Sequence, residues 1–383
     1  MEKSKVYFTN LRTKFGNNLL VKLRNLATAA GMKDIDFAGR YTAIKLHLGE
    51  PGNLGYLRPN YAKVLVDMIK EQGGWVFLTD CNTLYTGRRK NAVDHLEAAF
   101  ENGFSPFSTG CPIIIGDGLK GNDDVEVPVK NGELVQKAKI GRALMDADIV
   151  ISLTHFKGHE STGFGGTLKN LGMGGGSIPG KMDMHCEGKP KIKAAKCRSC
   201  RACIMDCGQD AITMDQDNKA FIHQDICVGC GRCISACPFG AVQVPWDESN
   251  SVLSKKIAEY AQGVVQDRPC FHISLMVDIS PACDCMSHND MPIIPDVGFF
   301  ASFDPVALDK ACVDKAKGQP VIPGSALDRK LAKEEAAGGK GHRGIGDQDV
   351  FTFCHPDTDW LSGLEHGEKI GLGSMDYELI EID

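Results

Sequence analysis

The chain has 383 residues, 43% of them hydrophobic and 24% charged, with a formal net charge of −6. That balance is ordinary for a globular protein with room for a sizeable core, and it leaves no basic footprint for nucleic acid. No apolar stretch reaches the roughly 18 residues of a membrane span, the first residues carry no apolar signal region, and sixteen cysteines fit a reducing cytoplasm in an organism living with little oxygen.

In chain order, residues 6–9 read as a strand. Residues 18–31 read as a helix, with Leu19, Leu23 and Leu26 on one face and Gly31 as the stop. Strands are expected at residues 42–48, 75–79 and 113–115, and helices at residues 61–71, 92–101 and 140–145. Residues 148–153 have the unbroken apolar run of a buried strand. Such alternation predicts an α/β body with a mostly parallel sheet.

A glycine-rich segment follows, from His155 to Gly176, with Lys157 and Lys169 in it. Strand ends are where α/β proteins place ligands, and glycines let backbone N–H groups approach an anion. A carboxylate or phosphate is the natural guest; the other reading is a loop that only packs tightly. His155 and His159 are spaced as metal ligands on one helix face, yet Gly158 argues against a helix there. Hydrogen-bonded structure or anion contact is the plainer role, and His185 and Cys186 stand in the same position.

The strongest signal lies between residues 197 and 237. Cys197, Cys200, Cys203 and Cys207 are matched, 30 positions on, by Cys227, Cys230, Cys233 and Cys237. Each run reads C-x2-C-x2-C-x3-C, and Ile192/Ile222, Ala211/Ala241 and Ile212/Val242 keep the same register, so the segment is an internal repeat. Soft thiolates at this spacing select iron–sulfur clusters. Three close sulfurs grip three corners of a cubane while the fourth points away to the other cluster. The expected sets are Cys197, Cys200, Cys203 and Cys237 for one 4Fe–4S cluster, and Cys227, Cys230, Cys233 and Cys207 for the second. Structural zinc sits on separate knuckles, and disulfides need an oxidising compartment. The segment resembles the bacterial two-cluster ferredoxins over residues 189–246, with Gly208 standing where the second run has Pro238.

After it the alternation resumes. Helices are expected at residues 255–265 and 305–317, and strands at residues 271–277, 294–300 (broken by Pro295) and 377–382. Residues 332–346, rich in Gly, Lys and Glu, read as a loop. Asp304 and Pro305 form a helix start, and Asp309 lies one turn on. The simplest organisation is a body formed by residues 1–188 and 247–383, with residues 189–246 inserted as a ferredoxin-like α+β module.

One more site stands out. Cys283, Asp284, Cys285 and His288 follow a strand, and the two thiols suit an additional soft metal or a redox pair. Cys81, Cys111, Cys270, Cys312 and Cys354 are isolated and read as packing. With these pieces placed, the chain resembles the iron–sulfur centre proteins that fuse a two-cluster ferredoxin insert to a domain of unknown function. The carrying residues are the Lys157–Leu171 loop, Cys283-x-Cys285, Asp296-Val-Gly and the run from Asp304 to Asp309. The Gly163–Lys169 stretch is also similar to a glycine-rich lysine loop of lactate-racemase-like proteins. What the resemblance implies is an α/β body carrying two 4Fe–4S clusters.

The functional expectation is an electron-transfer protein serving a site lined by His155, His159, Lys169, Cys283 and Cys285, with a soluble redox partner and a small anionic ligand. The alternatives are a reductase or other enzyme acting on a small anion, and a partner-binding protein whose clusters are structural.

Overall fold

The computed structural model describes residues 3–85, 87–186, 188–337 and 349–383. Its centre is an eight-stranded sheet in the order Tyr377–Glu381, Ser4–Asn10, Gly298–Ser302, Cys270–Met276, Ile149–His155, Tyr41–Lys45, Trp75–Asp80, Ile113–Ile115. Gly298–Ser302 runs antiparallel to both neighbours. Every other adjacent pair is parallel. The architecture is therefore α/β with a mostly parallel sheet.

Apolar side chains leave both faces of this sheet, which is why its strands read as continuous apolar runs. Ile44, Leu78, Ile151 and Ile273 join one core with Leu23 and Leu26 of the Leu19–Ala29 helix and Leu65 and Ile69 of the Pro59–Glu71 helix. Ala43, Phe77, Val150 and Phe300 join the other with the helices Thr167–Gly175, Asn250–Val265 and Pro305–Lys317. A third apolar cluster gathers the cysteine-rich segment with Leu84, Ile178 and Met182.

Within that segment the repeat is visible in the backbone. Lys191–Ile192 pairs antiparallel with Val242–Gln243, and Ile212–Met214 with Ala220–Ile222. The Lys193 N–H donates to the Ala241 carbonyl at 2.8 Å, and His223, 30 positions later, donates to Ala211 at the same distance. Each half adds a short helix, Ala202–Met205 and Arg232–Ala236. Both are entered from a left-handed residue, Arg201 at φ 62° and Gly231 at φ 72°.

Several elements differ from the expectation. Ile140 lies in a strand, Lys137–Gly141, paired with Asp124–Pro128, and only Arg142–Met145 is helical. The strand expected at residues 294–300 is Gly298–Ser302, beyond Pro295, whose missing N–H cannot join a central ladder. The expected loop at 332–346 begins inside the Ala326–Ala336 helix, and residues 338–346 lie outside the described residues. Three glycine-containing helices, Thr167–Gly175, Ile178–His185 and Leu361–Lys369, went unforeseen. Tertiary contacts hold the first. The Asp309 carboxylate, from another helix, accepts from the N–H groups of Thr167 (2.6 Å) and Leu168 (2.9 Å). Burial pushes that carboxyl up to about 6. Asp309 is thus a remote helix cap with no place in the cavity. Asp309→Ala strands two buried donors and should lower stability by about 2 kcal/mol, read as an earlier urea midpoint at unchanged slope.

Candidate functional site

Strand order reverses between Tyr41–Lys45 and Ile149–His155, because Trp75–Asp80 and Ile113–Ile115 extend one way and Cys270–Met276 the other. Such a switch point leaves a crevice at the carboxyl ends of the strands. A cavity of about 490 Å³ opens there, lined by Lys45, His47, Asp80, Thr154 and His155 at the strand ends. The Thr167–Gly175 helix adds Lys169 and Asn170, the Ile178–His185 helix adds Lys181 and His185, and the loop after Cys270–Met276 adds Cys283 and Cys285.

Its floor is a buried ionic network. Lys45 Nζ lies 2.9 Å from Asp80 Oδ1 and donates to Asn170 Oδ1 at 2.9 Å. Arg89 Nε donates to Glu50 Oε2 at 2.7 Å, and its other arm donates to the Tyr85 hydroxyl at 2.7 Å. Tyr85 in turn donates to the Cys285 carbonyl at 3.3 Å. Burial opposes the charge of Asp80, but Lys45, followed by His95, His47 and Arg89, holds its carboxyl below the usual range. The helix comes close because Gly174 has no side chain: a Cβ there would lie 2.5 Å from Lys45 Nζ.

Cys283 and Cys285 face each other across a turn closed by the Met286 N–H on the Cys283 carbonyl at 3.1 Å. The Cys285 thiol hydrogen-bonds to Cys283 and holds it well below the usual thiol range, while the same bond holds Cys285 well above it. The thiolate therefore rests on Cys283, with Lys169 Nζ 3.6 Å from its sulfur. Burial works against the Lys169 charge, but Cys283, Cys285 and Glu160 together outweigh it and the ammonium is held above its ordinary value. His159 completes the shell. Its Nδ1 accepts from the N–H groups of Ser161 and Thr162, both at 3.1 Å, and the ring adds to the lowering of the Cys283 thiol. His155 stands behind, its Nδ1 2.8 Å from Asp284 Oδ2 and its Nε2 2.7 Å from the Val277 carbonyl. Burial opposes ionisation of Asp284, yet His155, Lys157 and His47 bring its carboxyl down to about 2.

The structure thus brings His159, Lys169, Cys283 and Cys285 together and sets His155 one layer out. His155 and His159 lie on separate strands, Ile149–His155 and Lys157–His159, not on one helix face. His185 lines the cavity as well, and burial brings its imidazole down to about 3. Cys186 packs in the cysteine-rich apolar cluster and His288 is exposed. Cys81, read as packing, lines the cavity and donates to the Gly175 carbonyl at 3.4 Å. Lys45, His47, Asp80 and Arg89 escaped the sequence reading. The available signal was Lys45, a charge inside an apolar strand, which needs a buried partner.

In the cysteine-rich segment, Cys197, Cys200, Cys203 and Cys237 line one small cavity with Ile192, Ala220 and Val242. Burial pushes the Cys203 thiol up, and its sulfur neighbours are Cys237, Cys197 and Cys200. Cys233, pushed up by burial, feels Cys230 and Cys227, then Cys203 and Cys207. Cys237 of the second run thus stands beside the first three cysteines of the first, and Cys207 lies within electrostatic reach of Cys233. Backbone N–H groups are aimed at these sulfurs: Ala220 at Cys197 (3.4 Å), Ala211 at Cys207 (3.4 Å), Gly229 at Cys227 (3.4 Å) and Ala241 at Cys237 (3.2 Å). Donors of this kind stabilise thiolates and tune cluster potentials. Among the described residues no three His, Cys, Asp or Glu side chains converge as they would on a single metal ion. A cubane spreads its sulfur ligands over separate irons, so a wide ring of four cysteines suits it.

Fold and cavity define a doubly wound α/β protein with a basic, cysteine-bearing crevice and a cysteine-rich module beside it. The chain belongs to the family described as domain of unknown function (DUF362), whose model matches residues 42–314. Shorter segments are similar to iron–sulfur proteins. The iron–sulfur subunit of a putative dimethyl sulfoxide reductase of Halobacterium salinarum is 30% identical over 118 residues, 30% of this chain and 40% of that protein. Electron transport protein HydN of Escherichia coli is 42% identical over 55 residues, 13% of this chain and 30% of that one. The formate dehydrogenase iron–sulfur subunit of Wolinella succinogenes is 37% identical over 60 residues, 15% of this chain and 30% of that one. The chain spans less than half the length of each. Among solved structures, the lactate racemase apoprotein of Thermoanaerobacterium thermosaccharolyticum is 11% identical, covering 98% of this chain and 82% of that one with a TM-score of 0.40. Among the described residues no helix is long and apolar enough to cross a membrane.

Two measurements check the site. Lys45→Met leaves Asp80 buried without its nearest cation and should cost about 3–5 kcal/mol, read as a lower thermal midpoint. The pH at which iodoacetamide alkylates Cys283 at half its maximal rate should lie well below the ordinary thiol value of about 8.5 and rise by about one unit or more in Lys169→Ala.

Proposed function

We propose that this chain is an electron-transfer protein. Residues 189–246 form an inserted ferredoxin-like module. Cys197, Cys200, Cys203 and Cys237 would hold one 4Fe–4S cluster, and Cys227, Cys230, Cys233 and Cys207 the second. When bound, such clusters supply one-electron carriage at low potential. The chain's own residues bury Cys197, Cys203, Cys233 and Cys237 and donate N–H groups to four of the eight sulfurs. A soluble redox partner supplies the electrons, and the cavity of the α/β body is where they are used.

One observation supports this most: the Ile178–His185 helix is a wall common to module and cavity. Ile178 and Met182 pack into the cysteine-rich cluster, and Gly231 lies so close that a Cβ there would come 2.7 Å from Met182 Cγ. From the same helix Lys181 and His185 line the cavity. His185 packs edge-on against Trp246, with ring centroids 4.7 Å apart, and Trp246 lines the cavity too. Leu84 belongs to both linings. A second reading, a reductase of a small anion, is favoured by the cations around the cavity: Lys45, Arg89, Lys157, Lys169 and Lys181 against Asp80 and Glu160.

Protein purified without oxygen should be brown, carry about eight irons per chain and bleach reversibly with dithionite. Cys237→Ser should remove the cluster of the first run although Cys237 belongs to the second, and iron should fall to about half. Colourless protein, or zinc in place of iron, would end this reading.

A further inference from the structure

We propose that Cys283 and Cys285 form a thiol–disulfide exchange centre that reduces a small anionic disulfide admitted to the cavity. Both cysteines, one residue apart in the chain, line the cavity, with Lys169 Nζ 3.6 Å from the Cys283 sulfur. The turn closed by Met286 keeps their Cα atoms within the span a disulfide bridges. The pair is asymmetric, as exchange requires. Cys283 is the buried nucleophile, with Lys169 and His159 on its sulfur. Cys285 carries the proton and is the more exposed of the two. The body's other cysteines lack this setting: burial pushes the thiols of Cys81, Cys111, Cys312 and Cys354 up.

The surroundings select the substrate. A cavity of about 490 Å³ admits a small molecule and excludes a protein disulfide. Lys157 and Lys169, both on its lining, offer charge to carboxylates flanking the sulfur–sulfur bond. This is also why a soft metal is the poorer occupant: thiolate, ammonium and imidazole already satisfy one another.

The steps balance. The Cys283 thiolate attacks one sulfur of R–S–S–R′, forming the mixed disulfide Cys283–S–S–R and releasing R′–S⁻. Cys285 gives up its proton to that leaving thiolate and attacks the Cys283 sulfur, forming the Cys283–Cys285 disulfide and releasing R–S⁻, which takes a proton from solvent. The substrate gains two electrons and two protons. The return to the Cys283 thiolate and Cys285 thiol takes two electrons from a low-potential one-electron donor of the ferredoxin or flavodoxin class and one proton from solvent. For that return alone the proposal rests on the electron-transfer reading.

The test uses the full chain, prepared without oxygen, and 5,5′-dithiobis(2-nitrobenzoate) as a small anionic disulfide, with peptide masses as the readout. Wild-type protein should form the Cys283–Cys285 disulfide at least tenfold faster than Cys111, Cys312 or Cys354 is labelled, and keep no adduct at either sulfur. Cys285→Ser should retain one thionitrobenzoate on Cys283, and Cys283→Ser should lose the fast reaction. The proposal is overturned if Cys283→Ser reacts as fast as wild type, if Cys285→Ser accumulates no adduct, or if the wild-type pair is no faster than the buried cysteines. Iron content, read on the same sample, separates the two ideas. Exchange in iron-free protein keeps this proposal and sinks the cluster reading; iron without exchange does the reverse.

Discussion

One short helix, Ile178–His185, is pressed on one side against the cysteine-rich module and on the other against the cavity of the sheet. The proposed passage of electrons from module to cavity depends on that contact. Ser177 caps the helix by accepting from the Gly180 N–H at 3.2 Å. Gly180 lets it approach the neighbouring strand, since a Cβ there would come 2.3 Å from the Lys139 carbonyl. Gly231 does the same on the module side. Glycine on both flanks is what permits so close a fit, and a methyl group at either position would force the layers apart.

The cavity combines two constraints that conflict in isolation. Burial penalises charge, yet Lys45, Asp80, Arg89, Lys169 and Asp284 are all buried or nearly so. Each is answered by an opposite charge or a hydrogen-bond partner, which is the condition for a buried ion to persist. The Cys283 thiolate belongs to this network. It draws on Cys285, Lys169 and His159 together, so its reactivity is a property of the group and not of one residue.

Much of the body was legible because parallel strands buried on both faces write themselves as apolar runs. Residues 75–79 and 148–153 are examples, each recovered within a residue or two of the strands Trp75–Asp80 and Ile149–His155. The Thr167–Gly175 helix was not legible, because its glycines speak against a helix and the cap that holds it, Asp309, is 142 residues away. Of the cavity, Lys169, His159, Cys283 and Cys285 could be picked out as reactive residue types in polar segments. Lys45 and Asp80 could not, since nothing local says that two strand ends meet at a switch point. The cysteine runs lie at the other extreme: a spacing repeated at 30 residues carries its own geometry.

The central claim concerns where iron sits. Diffraction from crystals grown without oxygen, recorded on both sides of the iron absorption edge, tests it most directly. The account predicts two separate groups of four irons. One is ringed by Cys197, Cys200, Cys203 and Cys237, the other by Cys227, Cys230, Cys233 and Cys207, and both lie on the module side of the Ile178–His185 helix. Single zinc ions each held by the four cysteines of one run, or no metal at all, would contradict it.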